Sequence, residues 1–466
     1  MGLGPKRQKK EKRLSSAEAF RRAAALERGE LPPDGDAPEE EVRWEEPGQT
    51  PPARQQELPA AKSKRRGKNK KEKKQPQSDM PRIEQIRRRK HERRLRRAAL
   101  ALAVLVAVFL YLGGVFSASV NLFSDLLDSA RIALTPGGGW PVGMGVEGLL
   151  YAEPLSGGLA LCGKSELVLY SPTARQLRSV QHGYAEPALA VGNARVCVYN
   201  RSGKELRVES RSRTLTTKST EYPILTVGMA PGGTMAVATR SERYLAELTV
   251  YDPNFEEVYY AYLAEYYPLS IAIASDNKRM AVSCMKVENG VFGTQLQLYD
   301  MSKSAEEARV TVDVPDSVPL QLHYTSDGAL VVIYDGFAAV YDPATGQQTA
   351  RYDYGGSSLL TADFHGRNTL LVFGEAGRAS AGSCVLLGET MQVLATVSPG
   401  IDVRDAALDA EHFYLLGAKT AVGYDLTGAE VCREALPAEG MRMVCGKAPL
   451  AVTAKEILQL TPLKNK

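Results

Sequence analysis

The chain has 466 residues, with 58 Lys+Arg against 54 Asp+Glu and six cysteines. Its net charge of +4 hides two regions of opposite sign, +13 up to Arg97 and −9 from Ala98 onward. That split speaks against a uniformly basic nucleic-acid-binding globule, and six cysteines in this length exclude a disulfide-built miniature fold.

Residues 1–79 are rich in Pro, Glu, Gln and Lys, with an acidic run Glu39-Glu40-Glu41 and a basic run from Lys62 to Lys74. Too little apolar surface is available to offset the entropy of ordering, so a disordered charged tail is expected. Within it, Ser15-Ser16-Ala17-Glu18 has capping-box spacing and opens an Ala-rich stretch, which predicts a short helix over 16–30. Residues 80–97 read as a basic helix carrying Arg87, Arg88, Arg89, Lys90, Arg93, Arg94, Arg96 and Arg97. Beside a bilayer this cluster would meet anionic lipid, at about 1 kcal/mol per basic residue near the surface.

The basic helix runs directly into AALALAVLVAVFLYLGGVFS, and no charge appears from Ala98 to Ser124. Twenty helical residues at about 1.5 Å each span a hydrocarbon core, so 98–118 is expected to be a transmembrane helix. A cleaved signal peptide is the rival, but 97 preceding residues are far more than an ordinary signal carries. The basic flank places the N-terminus in the cytoplasm and everything after the span outside. Residues 119–130 read as a linker.

From 131 to 466 the pattern becomes short apolar runs of period two, separated by Gly, Asp, Asn and Pro turns, as many short strands require. Two registers recur. One is a turn before an apolar strand, as in Ala230-Pro231-Gly232-Gly233-Thr234, Ser275-Asp276-Asn277 and Ser326-Asp327-Gly328. Its eight anchors, Leu159, Val196, Met235, Met280, Leu330, Leu370, Phe413 and Leu450, stand 37 to 50 residues apart. The other is a strand ending in Tyr-Asp or a substitute, at Tyr170, Tyr251-Asp252, Tyr299-Asp300, Tyr341-Asp342 and Tyr424-Asp425, with weaker members near Val208, Leu387 and Leu460. Both registers count eight units of close to 41 residues. Four short strands per unit make a β-propeller blade, so the expected fold is all-β: an eight-bladed propeller, with seven blades as the alternative count. Too few residues follow Leu460 for a last outer strand. Ring closure then requires Arg131–Thr135 or Pro141–Gly145, because an unpaired sheet edge invites further pairing.

The turn and strand pattern resembles WD40-like and quinoprotein-like propellers, without the Gly-His and Trp-Asp pairs of true WD40 repeats. The whole plan of basic tail, single span and propeller with Tyr-Asp hairpins resembles a domain-of-unknown-function family of single-pass membrane proteins in clostridia-type Gram-positive bacteria. That resemblance covers Ala98 to the C-terminus and implies a propeller displayed outside a bacterial cell membrane. It implies no activity.

Candidate chemistry is sparse. Asp252, Asp300, Asp342 and Asp425 recur at matching hairpins, where Asp bonds its own backbone and builds the turn, one per blade around a ring. No CxxC, HExxH, GxSxG or Walker-A pattern occurs, and no adjacent cysteine pair supports a quinoprotein. The six cysteines are expected to be buried thiols. No catalytic, metal or cofactor residue is assigned, and no cofactor is expected. The segment EEVYYAYLAEYY offers a partner surface at Tyr259, Tyr260, Tyr262, Tyr266 and Tyr267. The competing reading is that tyrosine suits an outer strand and fills it. A non-enzymatic binding or scaffold protein of the cell envelope, with a protein partner there, is the expected function. A ligand sensor coupled to the tail is the alternative, and a propeller enzyme comes third.

Overall fold

The structure is a computed structural model that describes residues 125, 127–288, 290–303, 310–374 and 382–461. The expected tail, the basic helix with Arg87 to Arg97, the 98–118 span and most of the linker lie outside the described residues.

Thirty-two strands form eight four-stranded antiparallel sheets among the described residues. Blade 1 is β2 (Tyr151–Leu155), β3 (Gly158–Cys162), β4 (Glu166–Tyr170) and β5 (Gln176–Gln181). Blade 2 is β6 (Pro187–Val191), β7 (Arg195–Asn200), β8 (Glu205–Ser210) and β9 (Thr214–Ser219). Blade 3 follows as β10 (Ile224–Met229), β11 (Met235–Thr239), β12 (Ala246–Tyr251) and β13 (Glu257–Leu263). In blade 4 the two middle strands are long: β14 (Tyr267–Ile273), β15 (Arg279–Glu288), β16 (Val291–Asp300) and β17 (Val310–Pro315). Blade 5 contains β18 (Pro319–Tyr324), β19 (Leu330–Tyr334), β20 (Phe337–Tyr341) and β21 (Gln348–Asp353). Blade 6 comprises β22 (Leu359–His365), β23 (Asn368–Phe373), β24 (Ser383–Leu387) and β25 (Val393–Val397). Blade 7 is β26 (Val403–Leu408), β27 (His412–Gly417), β28 (Thr420–Asp425) and β29 (Glu430–Ala435). The last blade joins both ends of the domain: β30 (Gly440–Cys445), β31 (Pro449–Thr453), β32 (Glu456–Gln459) and then β1 (Val142–Gly143).

The first strands of successive blades touch one another around the axis, so the four strands of each blade run from inside to outside as a, b, c and d. The blade count of eight is the one expected, and so is the need for an N-terminal closing strand. Of the two candidate segments, the second closes the ring: Val142 pairs with Ile457 and Gly143 with Glu456. Residues 127–134 are instead a helix, α1, with Asp125 already helical before it. It ends before Pro136, as the residue preceding proline disfavours helix. The propeller therefore begins at Val142, later than the expected 131, and α1 occupies part of the expected linker.

Eight apolar clusters hold the ring, one at each seam between neighbouring blades. This explains the uninterrupted burial of b strands such as β3, β19 and β31, which are covered on both faces. Outer strands alternate instead, as in β17, where every second residue is exposed. The turn register is the a–b turn. Gly233, Asn277 and Gly328 occupy equivalent positions at φ of +92°, +57° and +89°. Each donates its N–H three residues back, to Ala230, Ala274 and Thr325 at 2.9–3.0 Å. The Tyr-Asp register is the c–d hairpin, where the pairing slips by one residue beside Tyr170, Tyr251, Tyr341 and Tyr424. The tyrosine goes into a seam, and the aspartate turns the chain.

Ring closure buries Ile457 completely, in the seam where blade 8 meets blade 1 and beside the partly buried Val142 and Trp140. Ile457→Ala is expected to lower the free energy of unfolding by about 2–5 kcal/mol, measured by denaturant titration. An unchanged midpoint would show that the closing seam bears little of the ring's stability.

Candidate functional site

The a strands leave an axial channel with two cavities of about 690 and 590 Å³, which share Glu153, Pro154 and Leu322 in their walls. Four consecutive blades place charged side chains there: Asp363 from blade 6, Asp405 from blade 7, Arg442 from blade 8 and Glu153 from blade 1. Two of the carboxylates also tie blades together. Asp363 Oδ2 accepts the Leu408 N–H of blade 7 at 2.7 Å, and Asp405 Oδ2 accepts the Met443 N–H of blade 8 at 2.8 Å. The Arg442 guanidinium donates to the carbonyls of Met441 and Leu150, at 3.0 and 3.4 Å. Glu153 differs, because its carboxylate makes no hydrogen bond or ion pair among the described residues.

Enclosure by the surrounding strands pushes the Glu153 carboxyl up to about 7, and the Asp363 and Asp405 charges push the same way against Arg442. Burial also lifts Asp363, to about 6, against the pull of the backbone N–H groups of Leu408 and Phe364. Asp405 is raised by burial as well. On the same wall the His323 ring stacks on Phe364 at 4.6 Å and 6°. Burial, then the nearby His365, lowers its pKa to about 4, so it is neutral at pH 7. The channel thus holds more carboxylate than cation, and one carboxylate has no partner. Such a site favours a proton or a cation.

The tyrosines of the blade 3 outer strand divide between two faces. Tyr260 and Tyr262 are 48% and 36% exposed, with rings 5.8 Å apart, and Tyr244 of the b–c loop stacks on Tyr262 at 4.5 Å. Tyr259 belongs to the core: it is 7% exposed, lies in the seam with blade 4 and meets Tyr299 edge-on at 6.3 Å. Strand alternation and the neighbouring blade remove it from the expected partner surface. Tyr266 is half-buried against that seam, with Lys286 Nζ 5.6 Å from its ring. Tyr267 is exposed but begins β14, an inner strand. Tyr262 and Tyr266 both line a groove of about 380 Å³ between blades 3 and 4. Across it stands the long β15–β16 hairpin, with Val287, Val291 and Phe292 exposed at its tip.

The hairpin aspartates build turns, as their pattern indicated. Asp252 Oδ1 accepts the N–H groups of Asn254 and Glu256, Asp342 Oδ1 that of Ala344, and Asp425 Oδ1 those of Thr427 and Ala429. All six cysteines are free thiols, and five are buried. Burial pushes Cys162, Cys197 and Cys284 up to about 12. Among the described residues no helix is long and apolar enough to cross a membrane.

Eight four-stranded blades around an axial channel define a β-propeller. Residues 150–459 match the family of unknown function DUF5711, and the chain belongs to that family. No curated protein matches it. Among solved structures the chain is similar to the C-terminal WD40 domain of Sif2, with 11% identity and a TM-score of 0.50, over 68% of this chain and 99% of that one. It is also similar to BamB from Moraxella catarrhalis, with 11% identity and a TM-score of 0.44, over 69% of this chain and 98% of that one. At such identity the likeness concerns the fold alone.

The folded Glu153 carboxyl keeps its proton to about pH 7, against an ordinary value of 4.5. Its contribution to stability is therefore complete below pH 4.5 and is lost as the pH rises through about 7. Glu153→Gln should flatten the decline in stability across that window and stabilise the protein at pH 8, on the order of 1 kcal/mol. Unfolding titrations at pH 4.5 and pH 8 check this, and equal slopes for both proteins would contradict it.

Proposed function

We propose that this protein is a non-enzymatic binding propeller, displayed outside a bacterial cell membrane by the 98–118 span, with its basic tail in the cytoplasm. Arg87 to Arg97 would then lie against anionic lipid on the inner side. The propeller would meet a protein partner of the cell envelope through the exposed surface of blades 3 and 4. The observation that carries this reading is the Tyr244–Tyr262–Tyr260 series beside the Phe292 hairpin. Exposed aromatic side chains supply large contact area at low entropy cost, which is how partner surfaces are commonly built. Within the five-tyrosine segment only the outward pair, Tyr260 and Tyr262, enters the proposal for the outer strand. Tyr267 would lie at its inner border.

A sensing role is favoured by one different observation, the unpartnered Glu153 carboxyl in the channel. A small organic cation bound there would be stabilised by Glu153, Asp363 and Asp405 together. Raised melting temperatures with small amines, absent in Glu153→Gln, would favour sensing over scaffolding.

The partner surface is tested in living cells with the full-length chain carrying a photo-crosslinking residue at position 262 or 292. A discrete protein adduct is expected from both positions, and Tyr260→Ser should weaken the adduct formed from 292 several-fold. A crosslinker at Glu411, in an a–b turn, serves as control. Adducts from 262 and 292 no stronger than from 411 would refute the partner surface.

A further inference from the structure

Helix α1 is amphipathic in the inverted sense. Positions 125, 128, 129 and 132 share one helical face; Asp125, Asp128 and Ser129 fix that face to blade 2, with Ile132 half-buried at its end. The Asp125 carboxylate pairs with the Arg195 guanidinium at 3.0 Å, and Arg195 is itself 1% exposed. Arg211 Nη2 donates to the Asp125 carbonyl at 3.1 Å and to Ser129 Oγ at 2.5 Å. The Ser212 hydroxyl donates to the Asp128 carboxylate. The opposite face, 127, 130, 131 and 134, consists of Leu, Ala, Arg and Leu, all exposed, with Leu127 at 55% and Leu134 at 82%. A surface helix on a water-surrounded protein turns its apolar stripe inward and its polar stripe outward. Here the polar stripe is the one that docks.

The docking side is equally specific. Arg195 begins strand b of blade 2, after its a–b turn, and Arg211 and Ser212 lie in the c–d turn of the same blade. Farther along, Thr173 in the c–d turn of blade 1 receives the Gly137 N–H on its hydroxyl at 2.8 Å and the Gly139 N–H on its carbonyl at 3.2 Å. Arg175 of that turn donates to the Thr135 carbonyl at 3.2 Å. The whole segment therefore crosses the a–b/c–d face of the propeller. Only six residues, 119–124, stand between the proposed 98–118 span and Asp125, which leaves little length between that span and this face.

We infer that α1 lies in the membrane interface: its polar face clamps blade 2, while Leu127, Ala130 and Leu134 enter the outer lipid leaflet and Arg131 reaches the headgroup phosphates. This rests on the anchoring proposed above and adds an orientation to it. The a–b/c–d face is held against the bilayer, and the Phe292 hairpin, a b–c connection, points away from it. An apolar stripe flanked by a basic residue is how a helix lies in an interface.

The test uses the full-length protein in phosphatidylethanolamine–phosphatidylglycerol vesicles, with a nitroxide on Leu127→Cys, Leu134→Cys or Phe292→Cys and the wild-type chain as labelling background. At 127 and 134, collisions with oxygen should exceed those with a water-soluble nickel chelate several-fold, and at 292 the ratio should invert. An alkaline carbonate wash of the same vesicles distinguishes loss of the interfacial helix from loss of the anchor. Protein retained through the wash, with 127 and 134 as accessible to nickel as 292, would overturn the interfacial helix while leaving the anchor intact. Protein released by the wash would overturn both.

Discussion

Closure of the ring is the constraint on which the rest of this molecule depends. Seven blades are each made from one continuous stretch of chain, but the eighth lacks an outer strand until β1 joins β32. Only two residue pairs form the ladder, extended by the Met144 N–H donating to the Lys455 carbonyl at 3.1 Å. So short a strand holds through side-chain packing as well as backbone bonds. Trp140, Val142 and Met144 all pack on the seam between blades 8 and 1. Tyr170 of blade 1 donates from its hydroxyl to the carbonyls at Gly143 and Met144, 3.3 and 3.4 Å away. Gly145 makes that approach possible, since a Cβ there would stand 2.3 Å from the Tyr170 hydroxyl and its φ is +73°. The seam thus binds the first residues of the domain to its last.

Because the closing strand precedes blade 1 in sequence, the chain before it must reach the rim of blade 8. It does so along the turns of blades 2 and 1, which distinguishes the two faces of an otherwise repetitive ring. One face carries α1 and its polar clamp. The other carries the b–c loops, where Tyr244 stacks on Tyr262 and the β15–β16 hairpin rises with Phe292 at its tip. The axis between the faces is lined by the a strands, and Glu153, Asp363, Asp405 and Arg442 meet there.

Much of the fold was legible because its repeating elements rest on local chemistry. The a–b turns of blades 3, 4 and 5 hold positive φ at one position, so Gly233, Asn277 and Gly328 mark them in the chain. The c–d hairpins of blades 3, 4, 5 and 7 use an aspartate that bonds its own backbone and a tyrosine for the seam, and those pairs recur. The 50-residue interval between the Met280 and Leu330 anchors even carried the signal of the extended blade 4 hairpin, although its exposed tip was not identified. The channel cluster left no such trace. Its members come from four blades and share no motif, and each sits in an a strand that otherwise looks like its neighbours. Tyr259 and Tyr260 are adjacent in sequence and alternation puts them on opposite faces of the strand, but only the neighbouring blade makes the Tyr259 face core. Helix α1 was obscured for a related reason: its polar face is satisfied by Arg195 and Arg211 of blade 2, a long-range pairing without a local signal.

Residues 127–145 are an integral part of the ring, closing it at β1 and crossing its a–b/c–d face on the way. Amide hydrogen exchange on the full-length protein tests this most directly. The Met144 amide donates to Lys455 and should be protected together with β32, opening only when blade 8 opens, while those of Gly137 and Gly139 donate to Thr173 and should be protected with the c–d turn of blade 1. Complete exchange of 127–145 within seconds, beside a protected β32, would contradict the closure and the path of the chain it imposes.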